Sequence, residues 1–363
     1  MGSIEDVNAA LADEGKMVMA QVAPAVRVTI GEEFGLPAGT IVTKKLVGAL
    51  RQAGFEKVFD TSVAADIVTI EEGTEFLNRL EDQEDLPLLT SCCPASVFFV
   101  ENTFPKFLHH FCTVKSPQQG MGSLIKTYYA RRMKIDAKKN FVVAVMPCIV
   151  KKMEARRPEM EFDGVHNVDA VLTTKEAAAL LKSKKADLNG ANETGFDSLL
   201  GKASGAGQLF GQTGGVSEAL LRFVAWKLEG KKARVLFKEV RGKKGFREAE
   251  VKIGSRMLKV AVIDGLNNLR DLMSSEEKFH SYDVVEIMTC PGGCIGGGGQ
   301  PESTPEKLEA RKKALHNVDA METVRVASEN PEVKELYGSY LIEPGSKVAR
   351  SILHVSRICL KCD

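Results

Sequence analysis

The chemistry open to this chain lies in its eight cysteines, Cys92, Cys93, Cys112, Cys148, Cys290, Cys294, Cys359 and Cys362. The densest stretch runs over residues 288–300, Met-Thr-Cys-Pro-Gly-Gly-Cys-Ile-Gly-Gly-Gly-Gly-Gln. Cys290 and Cys294 stand four residues apart there, among six glycines. Glycine lets backbone come close to a bulky ligand and adopt positive φ, and a run of bare N–H groups can face an anion. Thiolates are the usual ligands of iron–sulfur clusters. The stretch therefore suits a large anionic metal cluster; a glycine-rich turn holding two buried cysteines is the plainer alternative.

Short apolar runs must position these thiols. Residues 284–288 form a predicted strand feeding Cys290. Residues 86–90 run into Ser91-Cys92-Cys93-Pro94, and residues 141–145 into Met146-Pro147-Cys148-Ile149-Val150-Lys151-Lys152. Three strands thus deliver thiols at their C-terminal ends, where open α/β sheets place ligands. Adjacent cysteines do not readily bind one metal ion, so one of Cys92 and Cys93 can be a ligand while the other points elsewhere. A fourth run, 16–22, delivers the turn Ala23-Pro24-Ala25. Further strands are predicted over 57–60, 168–172, 234–241, 246–253 and 257–262. Helices are predicted over 27–34, 43–53, 64–80, 120–132, 217–228 and 265–273, and from Thr174, read as a cap, to Leu181. On the helix 64–80, Glu72, Glu75 and Arg79 fall on one face; a solvated face with a Glu75–Arg79 pair is the ordinary reading.

The chain has 363 residues, 44% of them hydrophobic, and a formal net charge of +1. That balance gives no reason to expect nucleic acid or an anionic membrane as partner. No apolar run is long enough to span a bilayer, and the N-terminus lacks the order of a secretory signal, so a cytoplasmic location is expected. Eight cysteines then argue for metal or redox chemistry rather than a disulfide framework. Residues 230–244 are basic, read as a solvated face or, less readily, a docking patch for an acidic electron carrier.

Three motifs stand in order: Thr-Ser-Cys-Cys-Pro at 90–94, Met-Pro-Cys-x-x-Lys-Lys-x-Glu at 146–154, and the glycine-rich stretch at 288–300. Together they closely resemble the signature motifs of the [FeFe]-hydrogenase catalytic domain, with lesser matches at Ala23-Pro24, Ser116-Pro117-Gln118 and Thr213-Gly214-Gly215. The resemblance implies an H-cluster: a [4Fe–4S] cube joined through one cysteine to a two-iron unit carrying CO, cyanide and a bridging dithiolate amine. By the match, Cys93, Cys148, Cys290 and Cys294 hold the cube, with Cys294 as the bridge. Lys151 donates to one cyanide and the backbone around Ala23, Pro24 and Ala25 serves the other. Gln118, Met146, Phe210 and Met288 line the cavity, although plain core packing also accounts for the two methionines and the phenylalanine. Cys92 exchanges a proton with the bridging amine. A relay continues through Cys112, where the family usually has a hydroxyl, to Glu72, Glu75 and Arg79.

The implied activity is reversible interconversion of H2 with two protons and two electrons, with ferredoxin or a similar carrier and dedicated maturation proteins as partners. The implied fold is α/β, with two lobes, each a small mostly parallel sheet flanked by helices, and the cluster in the cleft between them. Sub-lobes are expected at 16–172 and 173–300, followed by a helical segment 301–363, all within one hydrogenase domain without an accessory ferredoxin-like domain. The first motif continues as Ala95-Ser96 rather than Gly-Trp, which points to a separate branch. Cys359 and Cys362 fit no family motif. Two other functions compete. An H2 sensor would use the same cluster for signalling, but such branches tend to lose the cysteine at position 92. A non-catalytic iron–sulfur assembly protein would lack the lysine and the relay.

Overall fold

The computed structural model describes residues 4–230 and 245–355. The predicted strand 234–241, the basic stretch 231–244 and Cys359 with Cys362 lie outside the described residues.

Two four-stranded sheets organise the chain. The first contains β1 (Met17–Val22), β2 (Lys57–Asp60), β4 (Asn140–Met146) and β7 (Ala170–Thr173), in the order β2-β1-β4-β7 with every pair parallel. The second contains β3 (Leu88–Thr90), β8 (Phe246–Ile253), β9 (Arg256–Asp264) and β10 (Val284–Met288), in the order β3-β10-β9-β8. There β3, β10 and β9 run parallel, and β8 is an antiparallel edge. A two-residue hairpin, β5 (Glu161–Phe162) with β6 (Val165–His166), stands apart.

Parallel strands covered on both faces read as continuous apolar runs; β10 and β7 are buried at every position. The edge strand β8 instead alternates buried and exposed residues, because one of its faces meets water. The strand β3 lies within the 16–172 span but pairs with β10, so a cut near residue 172 does not separate the two sheets. The first thiol motif is therefore delivered by the second sheet.

The helix Thr61–Asp82 is the longest element, at 22 residues. Asp60 caps it, accepting from the Ser62 N–H at 2.9 Å, and Arg27 pairs with the same carboxylate. Nearly every residue from Thr61 to Gly73 is buried, since the helix runs between others. A Cβ at Gly73 would stand 2.2 Å from the Phe223 ring, which is how closely the helix Gly215–Glu229 packs there.

Some local expectations shift. Residues 27–34 form two 3-10 turns, Val26–Val28 and Ile30–Phe34, rather than a helix. The helix at 174 is capped by Thr173, whose capping box with Glu176 closes both ways. The helices Ile4–Ala12 and Pro94–Thr103 were not expected. The C-terminal helix Pro305–Met321 buries Arg311 completely. Its guanidinium binds Glu32 twice, at 2.7 and 2.9 Å, and donates to the Ile295 carbonyl at 2.8 Å. A clamp of this kind ties the glycine-rich loop to the second 3-10 turn after β1, Ile30–Phe34.

Candidate active site

The C-terminal ends of β1 and β4 from one sheet, and of β3 and β10 from the other, deliver the signature residues to one place. Three cavities meet there, and Cys92 lines all of them. One is lined by Cys93, Cys148, Cys290, Cys294, Met288, Lys151 and Gly297, among others. The second, of about 50 Å³, is lined by Ala23, Pro24, Ala25, Gln118, Met146, Cys148, Lys151, Phe210 and Cys294, among others. The third, of about 10 Å³, holds Glu72, Cys112, Ser116 and Phe210 in its wall; about one water occupies a volume of ~10–15 Å³.

Local structure fixes each thiol. Cys93 is the N-cap of the helix Pro94–Thr103, whose first N–H groups favour negative charge. Ser91 and Ser96 brace it: the Ser91 hydroxyl oxygen accepts from the Cys93 N–H at 3.1 Å, and the Ser96 hydroxyl donates to the Cys93 carbonyl at 2.7 Å. Ser96 is the residue that breaks the usual Gly-Trp pattern, so the departure carries its own support. Thr289 meets Cys93 Sγ at 3.1 Å. Cys294 follows Gly293 at φ +85°, where a Cβ would strike the Thr213 nitrogen at 2.5 Å. The Cys294 carbonyl accepts from Gln300 Nε2 at 3.0 Å.

The four thiols press on one another. Burial, then the neighbouring Cys93 and Cys148, push Cys290 up to about 11. Burial raises Cys148 against the pull of Lys151. Cys294 is raised well above the ordinary thiol range, first by its hydrogen bond with Cys92 and then by burial. A cationic iron centre reverses this, because a coordinating thiol is deprotonated outright. Among the described residues, no three His, Cys, Asp or Glu side chains surround a point suited to a single metal ion. A cubane needs no such point, since each of its four irons takes one thiolate. The donor set therefore fits an iron–sulfur cube.

Lys151 is buried, and its Nζ lies 2.8 Å from Glu154 Oε2. Burial opposes the ammonium charge, but Glu154, Cys92 and Cys148 outweigh that and hold its pKa above the usual lysine value. Glu154 also accepts from the Ser116 hydroxyl at 3.0 Å and from Gln118 Nε2 at 3.2 Å. Gln118 Oε1 is buried in the wall of the second cavity with no hydrogen-bond partner among the described residues, so an acceptor is left over for a ligand. The motif at 146–154 ends in Glu154 but assigns it no role, although its spacing three residues after Lys151 is a usable signal for the pair.

The face carrying Glu72, Glu75 and Arg79 is not solvated. Glu72 is 2% exposed. Burial raises its pKa to about 7; Thr90 and Cys112 oppose the rise, and the charges of Glu75 and Glu286 add to it. Cys112 donates to Glu75 Oε2 at 3.5 Å, and Arg79 pairs with Glu75 Oε1 at 2.6 Å. Cys92, Glu72, Cys112, Glu75 and Arg79 thus form a row from the central cavities outward.

The sequence matches the iron only hydrogenase large subunit, C-terminal domain, over residues 16–298, and the iron hydrogenase small subunit over residues 305–356. The chain belongs to the iron-only, or [FeFe], hydrogenase family. It is 44% identical over 360 residues to the NADP-reducing hydrogenase subunit HndD of Solidesulfovibrio fructosivorans, covering 97% of this chain and 62% of that one. It is 42% identical over 361 residues to iron hydrogenase 1 of Clostridium pasteurianum, again covering 97% and 62%. The chain thus spans less than two thirds of the length of these relatives. Protein NAR1 of Arabidopsis thaliana matches at 32% over 383 residues, covering 97% of this chain and 80% of that protein. A solved variant of the [FeFe]-hydrogenase HydA1 from Chlamydomonas reinhardtii superposes with a TM-score of 0.84 at 36% identity, covering 98% of this chain and 99% of the other.

Proposed function

We propose that this chain holds an H-cluster and interconverts H2 with two protons and two electrons. Cys93, Cys148, Cys290 and Cys294 would hold the cube, and the second cavity, beside Cys294, would take the two-iron unit. A cluster of this kind supplies the electron reservoir and the metal site at which H2 is split or formed. Lys151, fixed by Glu154, faces that unit as a buried cation. Gln118 offers its carboxamide oxygen, the backbone of Ala23, Pro24 and Ala25 closes one wall, Met146 and Phe210 keep water out of the same cavity, and Met288 does so beside the four thiols.

Proton traffic falls to the chain's own side chains. Heterolysis of H2 leaves a proton that must reach solvent. The Cys92 thiol passes it, across about one water, to Glu72. A carboxyl with a pKa of about 7 takes up and releases protons readily near neutral pH. Cys112 hands the proton to Glu75, and Arg79 marks the outer end. A ferredoxin-like carrier and maturation proteins are the partners this chemistry calls for. A cytoplasmic location remains part of the proposal; among the relatives is a periplasmic [Fe] hydrogenase large subunit from Nitratidesulfovibrio vulgaris.

The observation that carries this reading is the placement of Cys92 in the walls of all three cavities, one of which it shares with Glu72 and Cys112. Relatives named as cytosolic Fe-S cluster assembly factors favour the non-catalytic alternative. That alternative has no use for a buried lysine beside the thiols or for a carboxyl tuned to neutral pH. Infrared spectra of the matured protein decide between them: CO and cyanide bands together with H2 turnover support the enzyme. Iron without those bands supports an assembly factor, and bands with negligible turnover support a sensor.

A further inference from the structure

Glu75 is over-supplied with donors. Its carboxylate accepts from Arg79 at 2.6 Å, from the Thr113 N–H at 3.1 Å, from the Thr113 hydroxyl at 2.7 Å and from the Cys112 thiol at 3.5 Å. A relay carboxylate must also carry a proton for part of each cycle. The guanidinium and the backbone N–H can only donate, whereas a hydroxyl can turn round and accept. The hydroxyl that lies nearest is that of Thr113. When it accepts from a protonated Glu75, its own hydrogen needs a new acceptor.

That acceptor is in place. His354 Nδ1 lies 2.8 Å from Thr113 Oγ1, and His354 Nε2 lies 3.1 Å from Glu71 Oε2. Glu71 is itself buried and held by the Tyr337 hydroxyl at 2.6 Å and the Gly345 N–H at 2.8 Å. His354 follows the helix Lys347–Leu353, and the chain around it is pinned beside Thr113. The Val355 N–H donates to the Thr113 carbonyl at 2.8 Å and the Lys115 N–H to the Leu353 carbonyl at 2.7 Å. None of these residues belongs to the signature motifs, and His354 comes from the segment that resembles the hydrogenase small subunit.

We propose that His354 is a side station of the relay, taking a proton from Glu75 through the Thr113 hydroxyl and returning it by the same path. This rests on the relay reading above. In the forward step the Glu75 O–H bond breaks as a new Thr113 O–H bond forms. The original Thr113 O–H bond breaks as the His354 Nδ1–H bond forms. One proton moves, no electrons change hands, and the imidazolium faces the Glu71 carboxylate. Every heavy-atom separation on the path lies within the ~2.6–3.2 Å that proton transfer requires. The branch lets Glu75 return to the carboxylate form before solvent collects the proton.

The test uses the matured protein and the variants Thr113→Val, Thr113→Ser and His354→Gln, with the Thr113→Val/His354→Gln double variant. Thr113→Val and His354→Gln should each lower turnover roughly tenfold or less, short of the ~10²–10⁴ of a group on the only path. The double variant should be no slower than either single one, Thr113→Ser should recover the parent rate, and the infrared bands and iron content should not move. Multiplying losses in the double variant would mean two unrelated packing defects and would overturn the proposal, as would unchanged turnover in both singles. A second readout needs no turnover. Nitrogen-15 spectra of labelled histidine, with His354→Gln used for assignment, report protonation at Nδ1. Glu75→Gln should shift that signal, and the shift should vanish in the Thr113→Val background. A shift that survives there refutes transfer through the hydroxyl. Should the parent protein fail to turn over H2, the proposed function falls while the spectra still judge the branch.

Discussion

Glu72→Gln separates the charge of the inner relay carboxyl from its shape. Glu72 is 2% exposed, and its pKa is lifted from 4.5 to about 7, chiefly by burial. An unfolded chain releases this proton near pH 4.5, whereas the folded protein keeps it until about pH 7. Between those values the folded state binds more protons, so stability falls as pH rises and is level above the upper value. At ~1.4 kcal/mol for each pH unit between the two values, ionised Glu72 costs the folded state about 3 kcal/mol at pH 8. Glutamine stays neutral throughout. The variant should therefore match the parent at pH 4.5 and exceed it at pH 8 by up to about 3 kcal/mol, less whatever its amide loses in hydrogen bonding. For a chain of this length, that is a rise of about 4 °C in thermal midpoint. Turnover should fall at the same time by ~10² or more, because the amide cannot carry a proton. Calorimetry of parent and variant from pH 4.5 to 8.5, with H2 evolution on the same samples, tests both halves. A stability difference that does not change with pH would refute the claim that Glu72 is held near neutrality. Unchanged turnover would show that protons leave by another route.

Four further substitutions, at three positions, address the rest of the site. Cys148→Ala should abolish the cube and all activity; iron analysis and cluster spectra equal to the parent's would remove Cys148 from the ligand set. Lys151→Ala should impair retention of the two-iron unit while sparing the cube, and should cost about 3 kcal/mol or more by leaving Glu154 buried without its cation; parent-like CO bands and thermal midpoint would count against it. Cys112→Ser should match or exceed parent turnover, since a hydroxyl bonds Glu75 more tightly than a thiol. Cys112→Ala should slow turnover well beyond its effect on stability, and full activity in the Ala variant would reduce Cys112 to packing.

How much of this was legible depends on how far each contact reaches along the chain. The strands β2, β8 and β10 carry the bounds read from their apolar runs, because buried parallel strands and a half-exposed edge strand leave different periodicities. The thiols were legible because a proline or glycine follows each delivering strand. Cys92 and Cys93 could be given two roles because adjacent cysteines do not readily bind one metal ion, but which of them is the ligand came only from the resemblance. The pairing of β3 with β10 was not legible, since nothing in a three-residue strand names its neighbour.

The supports of the site were less legible still, for a physical reason. A ligand must be a cysteine, but the residue that orients it can be any hydrogen-bonding group that the fold brings near. Glu154 sits in the local pattern of Lys151 and could have been found. Arg311 reaches Glu32 across 279 residues, and His354 reaches Glu71 across 283. Arg311 lies in a helix and His354 just after one, in a segment for which the sequence offers no site motif. A fully buried guanidinium survives only because six acceptor contacts surround it. Those contacts bind the C-terminal segment to the loop bearing Cys294, and the imidazole binds the same segment to Glu71 and to Thr113, whose hydroxyl donates to the outer relay carboxylate, Glu75. The region resembling a small subunit thus grips the site at both ends, one through the backbone of the thiolate loop and the other through the proton path. On that reading the segment is part of the machinery: loss of the Arg311 grip acts on the loop bearing Cys294, and loss of the His354 grip acts on the proton path and leaves the cluster as it is.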